Sequence, residues 1–297
     1  MIGELIGEAF RRTGELGGYL GDRRNFERAR ELWIGYSPKP REVRQAGIDS
    51  GWNFVQLQGF YIYAVAAVSV APDSSYVVDP RYDVGASTME MEERGRMVSD
   101  PHLFLETRGM TFEGELALDS SPRVDLLLLD GSLMARVYDS RSRAPTTLKD
   151  LVPRLKELGN AVFVAKRSQS SEVIGGPLGD IHYFSSATSG AGFSAPCVEE
   201  GVTTFYARLE DYTECLRIEV PGILDGAPPC PRAAPEGDWE DVRHVMDRLA
   251  HGTVGGYPYV LIQAHERAHI GDKDIGAIAE VMGVSYLSSG REVLGER

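Results

Sequence analysis

The chain has 297 residues, 42% hydrophobic and 25% charged, with 44 acidic against 31 basic side chains and a net charge of −13. That is ordinary for a soluble globular protein, long enough for one large domain or two small ones. Three widely and irregularly spaced cysteines, Cys197, Cys215 and Cys230, give neither a disulfide framework nor a CxxC metal site, and they fit a reducing, cytoplasmic setting. Acids and arginines interrupt the N-terminal apolar residues (MIGELIGEAFRR), which excludes a signal peptide. The acidity argues weakly against a broad nucleic-acid surface, because phosphate contacts call for lysine and arginine. Local basic groups at Arg23–Arg30, Lys39–Arg44 and Arg141–Lys156 read first as solvated helix faces.

In chain order, residues 2–34 form a helical arm: Ile2, Leu5, Ile6, Ala9 and Phe10 recur at helical spacing, and Pro38 and Pro40 close it. RQAGID is a short strand. Gly51–Ala71 carries no charge, but Gln56, Gln58 and its β-branched and aromatic residues divide it into two strands rather than a membrane helix. Residues 73–100 read as irregular. HLFLETRGMTFEGELAL is a helix started by Asp100 and Pro101, VDLLLLDGS a buried strand whose tip emerges, LKDLVPRLKELG a helix kinked at Pro153, and NAVFVAK another buried strand. The Gly/Ser-rich segment 168–201 is loop, TTFYARL and CLRIEV a hairpin, WEDVRHVMDRLAH a helix, and Asp274–Met282 the last helix. The class is α/β with a mixed sheet. Residues 1–40 form an arm and 41–290 the main domain, with 168–201 as a loop-rich insertion.

Asp49 and Asp130 each end an apolar strand and are followed by Ser-Gly and Gly-Ser. On adjacent strands the two would converge at one sheet edge, where ligand sites gather. Alternatively, each opens a tight turn. Glu113 lies on the helix before Asp130, with Glu106 on nearly the same face and Glu115 pointing elsewhere. Such a set of hard oxygens suits magnesium or manganese. His265, Glu266 and His269 spell HExxH, the zinc-protease pattern. Against it stand Arg267 beside the proposed metal, the Gly-Gly-Tyr-Pro lead-in and the absence of a clear third ligand beyond Glu280 or Glu292.

In order and context these pieces resemble the NurA nuclease family: IDSGWN followed by GFYIYAVAAV (Asp49), MTFEGELA (Glu113), VDLLLLDGSL (Asp130), VFVAKRS (Lys166) and YPYVLIQAH (Tyr257, His265), from about residue 44 to 280. FYARLEDYTECLRIEVPG resembles the family's late hairpin less specifically. The resemblance implies a ribonuclease H-like core with a mixed β-sheet flanked by helices. It implies a manganese-dependent DNA nuclease, with magnesium as the alternative ion. Two ions per site would be held by Asp49, Glu113, Asp130 and His265, with Lys166 at the scissile phosphate and Tyr257 orienting a ligand or stacking on a base. It further implies 5′–3′ exonuclease and single-strand endonuclease activity in DNA end resection and repair, a homodimer, and a hexameric HerA-like ATPase as partner. His269 is then incidental. The competing readings are the zinc metalloprotease and a non-catalytic adaptor that regulates an ATPase.

Overall fold

The computed structural model describes residues 2–20, 23–93, 96–142 and 146–284. The helical arm divides into α1 (Ile2–Leu20) and α2 (Arg23–Glu31), and Trp33 and Ile34, expected to continue it, instead form β1 (Trp33–Gly35). RQAGID and the residues after it make one long strand, β2 (Gln45–Gln56), followed by β3 (Tyr61–Val70). The uncharged stretch is therefore strand, and among the described residues no helix is long and apolar enough to cross a membrane. Residues 73–100, read as irregular, contain β4 (Arg81–Ser87), β5 (Glu90–Glu93) and β6 (Arg96–Ser99). Then come α3 (Pro101–Ser120), β7 (Leu126–Asp130), α4 (Leu133–Ser142), α5 (Thr146–Leu155) and β8 (Ala161–Ala165). Asp100 caps α3 by accepting from the Leu103 amide at 3.0 Å, and Pro153 lies inside α5.

The segment 168–201 is not all loop: it holds α6 (Asp180–Ala187), β9 (Gly192–Ser194) and β10 (Cys197–Glu199). After it come β11 (Val202–Arg208), β12 (Leu216–Pro221), α7 (Glu240–Leu249), β13 (Thr253–Val254), β14 (Tyr257–Pro258), α8 (Tyr259–Ala268) and α9 (Asp272–Val281).

The chain divides into two compact units. One comprises Met1–Pro40, Ala165–Ile218 and Ile223–Ala250; the other comprises Arg41–Val164, Glu219–Gly222 and His251–Arg297. In the first, the strands run β1-β9-β11-β12, with β10 paired to β11. Its core gathers Leu32, Tyr183, Phe184, Cys197, Tyr206 and Cys215. The carboxylate of Asp180, wholly buried, receives the amides of Val173 at 2.8 Å and Ile174 at 3.0 Å, which pins the Gly/Ser-rich segment. The cysteine reading is corrected here: Cys197 and Cys230 are joined by a disulfide, and only Cys215 is free. Wide sequence spacing hid the pair because the strand bearing Cys197 and the loop bearing Cys230 meet only after folding, with their Cα atoms 5.0 Å apart.

In the second unit the order is β8-β7-β2-β3-β4. β2, β3 and β4 are antiparallel, while β7 runs parallel to β2 and β8 parallel to β7. This is the layout of a ribonuclease H-like core. The parallel strands are apolar throughout, as strands covered on both faces must be: Leu126 to Leu129 and Ala161 to Ala165 are all buried. α9 packs Ile275 and Ala279 on Ile62 and Ala64 of β3, and α8 packs Ala264 and Ala268 on Val68 and Val70.

Candidate active site

The register of the parallel strands brings two acids together. Ile48 of β2 pairs with Leu129 of β7, so the next residues, Asp49 and Asp130, come level where β7 ends. β2 runs on past that end for seven further residues to Gln56. Asp49 therefore stands at the point where its neighbour strand stops, at the carboxyl edge of the parallel strands.

A helix reaches this edge from each face of β2. On one face lies α8. Gly47, Asp49 and Gly51 alternate along β2 and so share a face. A Cβ on Gly47 would fall 2.3 Å from the Val260 carbonyl oxygen, and one on Gly51 2.2 Å from that of Ala268. The two glycines let the α8 backbone lie directly against the strand, with Asp49 between them. His265, on that helix, places Nδ1 2.9 Å from Oδ2 of Asp49. Asp49 Oδ1 accepts the Ser50 amide at 2.8 Å. Tyr257 lies close by: burial and then the charges of Asp130 and Asp49 push its pKa up.

On the other face lies α3. Glu113 is 5% exposed, and its oxygens are each taken by a different donor: Oε1 by the Ser50 hydroxyl, Oε2 by the Arg136 guanidinium. Of the three glutamates weighed on this helix, Glu106 is exposed and Glu115 faces Arg81 at 3.6 Å, so Glu113 alone is turned inward to the centre.

The electrostatics reflect this crowding. Asp49 is pushed up to about 7, first by burial, then by the charges of Glu113 and Asp130, against the opposing hydrogen bonds from His265 and Ser50. Five of the six residues expected from the sequence thus act on one another: Asp49, Glu113, Asp130, Tyr257 and His265. Lys166, the sixth, follows Ala165 at the end of β8 and is counted with the other unit.

Among the described residues, no three His, Cys, Asp or Glu side chains converge as they stand on a point that would hold a metal ion. The donor set nonetheless fits a hard divalent cation. Burial and the charges of Glu113 and Asp130 raise the pKa of Asp49, and oxygen donors with one imidazole suit manganese or magnesium. HExxH fits zinc less well: α8 ends at Ala268, His269 is its C-cap in extended backbone, and the ring centroids of the two histidines are 6.4 Å apart.

Three residues of this region were not anticipated from the sequence. Ser50 was read only as a small neighbour of Asp49. Arg136 is 3% exposed among the buried Leu133, Met134 and Val137 of α4, and an arginine on an apolar helix face was the available signal. Glu219 is 1% exposed and accepts from the Ser132 hydroxyl at 2.8 Å and the Met134 amide at 2.9 Å, capping α4 directly after Asp130. Its signal was charge inside the fully buried strand LRIEVP.

Fold and site together define a class, the metal-dependent nucleases that carry acids at the edge of a ribonuclease H-like sheet. The sequence profile of the NurA domain matches residues 43–270, and the chain belongs to the NurA family. It is 22% identical over 315 residues to the DNA double-strand break repair nuclease NurA of Saccharolobus solfataricus, with 86% of each chain covered. Its fold is similar to the crystal structure of the NurA nuclease from Sulfolobus solfataricus, with a TM-score of 0.74, 20% identity and 95% of both chains covered. A structure of NurA bound to dAMP and manganese aligns with a TM-score of 0.63 and 12% identity over 96% of this chain and 98% of that one.

Proposed function

We propose that this chain is a manganese-dependent DNA nuclease acting in end resection and repair, a 5′–3′ exonuclease and single-strand endonuclease. It would work as a homodimer with a HerA-like hexameric ATPase. The observation that carries the chemistry is the buried acidic centre, where Asp49 is pushed up to about 7 by burial and two neighbouring carboxylates. Such a centre is costly unless a cation is to be held there. Asp49, Glu113, Asp130 and His265 would hold the ion, with magnesium as the alternative to manganese. Bound there, a divalent cation supplies water activation and charge neutralisation at the phosphodiester.

The chain's own groups do the rest. His265 orients Asp49 through the 2.9 Å contact, and Tyr257 would orient a ligand or stack on a base. Glu219 fixes the turn after Asp130 by capping α4. Lys166 is assigned to phosphate binding on the family motif VFVAKRS. Support for the substrate comes from family membership and from the relative named as a DNA break repair nuclease.

The test is cleavage of end-labelled single- and double-stranded DNA by the purified protein in manganese, in magnesium and in chelator. Label position reports polarity, and a circular single strand reports endonuclease action. Absence of cleavage in every metal, with and without the ATPase, would leave the adaptor reading.

A further inference from the structure

A buried ion pair between Arg136 and Glu113 lies in the centre itself. The Arg136 side chain is 3% exposed and that of Glu113 7%. The guanidinium donates to the Glu113 carboxylate, to the Met110 carbonyl at 3.2 Å and to the carbonyl of Asp130 at 3.4 Å. It lies 5.7 Å from the ring centroid of Phe163, which is itself fully buried. One side chain of α4 thus ties α3 to the tip of β7, the two elements that carry Glu113 and Asp130. Its Nε is buried with no hydrogen-bond partner. Replacing such a pair by apolar residues is often neutral or stabilising, so its presence calls for a reason beyond stability.

We propose that Arg136 is a positioning residue that acts as the built-in counter-ion of the acidic centre: it competes with the divalent cation for Glu113, holds Glu113 and Asp130 together when no metal is bound, and so sets the affinity for metal. The inference rests on the proposed metal-dependent function. The physical reasoning is direct. Asp49 and Glu113 are buried and Asp130 partly so; the three acids repel one another, and one fixed positive charge offsets one of their three negative charges. The same charge repels an incoming dication and occupies an oxygen of Glu113 that the ion could use. Both effects weaken metal binding while keeping the empty centre folded. Weak binding in turn keeps the ion exchangeable.

The experiment measures manganese affinity by calorimetry on DNA-free protein, together with the melting temperature without metal and the rate of cleavage. For Arg136→Met we expect a lower metal-free melting temperature, manganese bound at least tenfold more tightly, and cleavage at least tenfold slower. Arg136→Lys keeps the charge and should bind manganese within about threefold of the parent. In the double variant Arg136→Met, Glu113→Gln the tightening should vanish, because no freed carboxylate remains.

A folded Arg136→Met protein that binds manganese as weakly as the parent, or more weakly, overturns the proposal. So does tightening that survives in the double variant. If Arg136→Met does not fold, Glu113→Gln decides. It leaves Arg136 as an uncompensated buried cation, and manganese affinity should drop at least tenfold; unchanged affinity there overturns the proposal. Asp49→Asn is the separate control, since full manganese affinity in that variant removes the metal site itself rather than the role of Arg136.

Discussion

Asp49 concentrates the chemistry of the site, and its protonation gives the sharpest test. Its folded-state pKa is about 7, above the ordinary value of 3.8. A raised pKa means that the folded state favours the protonated acid. The stabilisation is complete below about pH 4 and is lost as pH rises through about 7. The metal-free protein should therefore melt at a lower temperature at pH 8 than at pH 5, while Asp49→Asn should flatten that dependence. Under the proposed function manganese binds the ionised acid, so it should restore stability at pH 8 and bind more weakly at pH 6. Calorimetric melting across this range checks both signs.

In cleavage, Asp49→Ala and Asp130→Ala should each abolish activity while the fold is kept. The two histidines should separate: His265 sits on Asp49, whereas His269 caps α8. His265→Ala should cost about 10–100-fold in manganese-dependent rate, in line with loss of a metal-site group, and His269→Ala much less. Equal loss in both, with stoichiometric tight zinc, would instead point to the protease.

Elements bring these residues together, and here the sequence was partly legible. The acid-tipped strand VDLLLLD, the capped helix after Asp100 and the paired strands around residues 45–70 are all present. Their local patterns agree with their tertiary surroundings. β4 was missed because a polar strand of alternating exposure carries little apolar signal, and β5 and β6 because each is only 4 residues long. The face-to-face fit of α8 on β2 was equally hidden. It depends on Gly47 and Gly51, whose missing side chains matter only once a helix backbone is 2.2–2.3 Å from where a Cβ would stand. Gly51→Ala should push α8 off the strand and cost about 1–3 kcal/mol. It should also lower cleavage by parting His265 from Asp49. Chemical denaturation with an activity assay on the folded variant measures both.

The disulfide acts at the same scale. It closes a loop across a sequence separation of 33 between β10 and the segment around Cys230. Cys197→Ser, or reduction of the parent, should cost about 2–4 kcal/mol. Unfolding curves with and without reductant should differ for the parent and coincide for the variant.

For the molecule as a whole, the net charge of −13 sets how DNA can be reached. Each phosphate contact gains from counterions released by basic groups, and this chain has few to spare. Alone, it should bind duplex DNA no more tightly than about 10⁻⁵ M at physiological salt. A motor that threads DNA to the site would remove the need for a basic surface; rapid degradation of long duplex by the protein alone would contradict this. The arm offers a contact for such a partner or for a second copy. Ile2, Leu5, Ile6 and Phe10 of α1 are 53–76% exposed, an apolar stripe left open to solvent. Deleting residues 1–20, which spares α2 and β1 with Ala29 and Leu32 of the core, should weaken dimerisation or ATPase binding, read by sedimentation and pull-down; if both persist, the arm is not the contact.

The order of motifs along the chain was sufficient to point to the family and the α/β class; strand tips and helix periodicity, which are local properties, singled out Asp49, Asp130 and Glu113, while Lys166, Tyr257 and the role of His265 came from the resemblance. What only the tertiary structure decided is which charges meet. Arg136 reaches Glu113, Glu219 caps the helix after Asp130, and Cys197 bonds Cys230, each across intervals of sequence that carry no periodic signal. Asp49 likewise meets Asp130 through the register of β2 against β7, and His265 through the close seat of α8 on β2. Neither exists until the chain has folded.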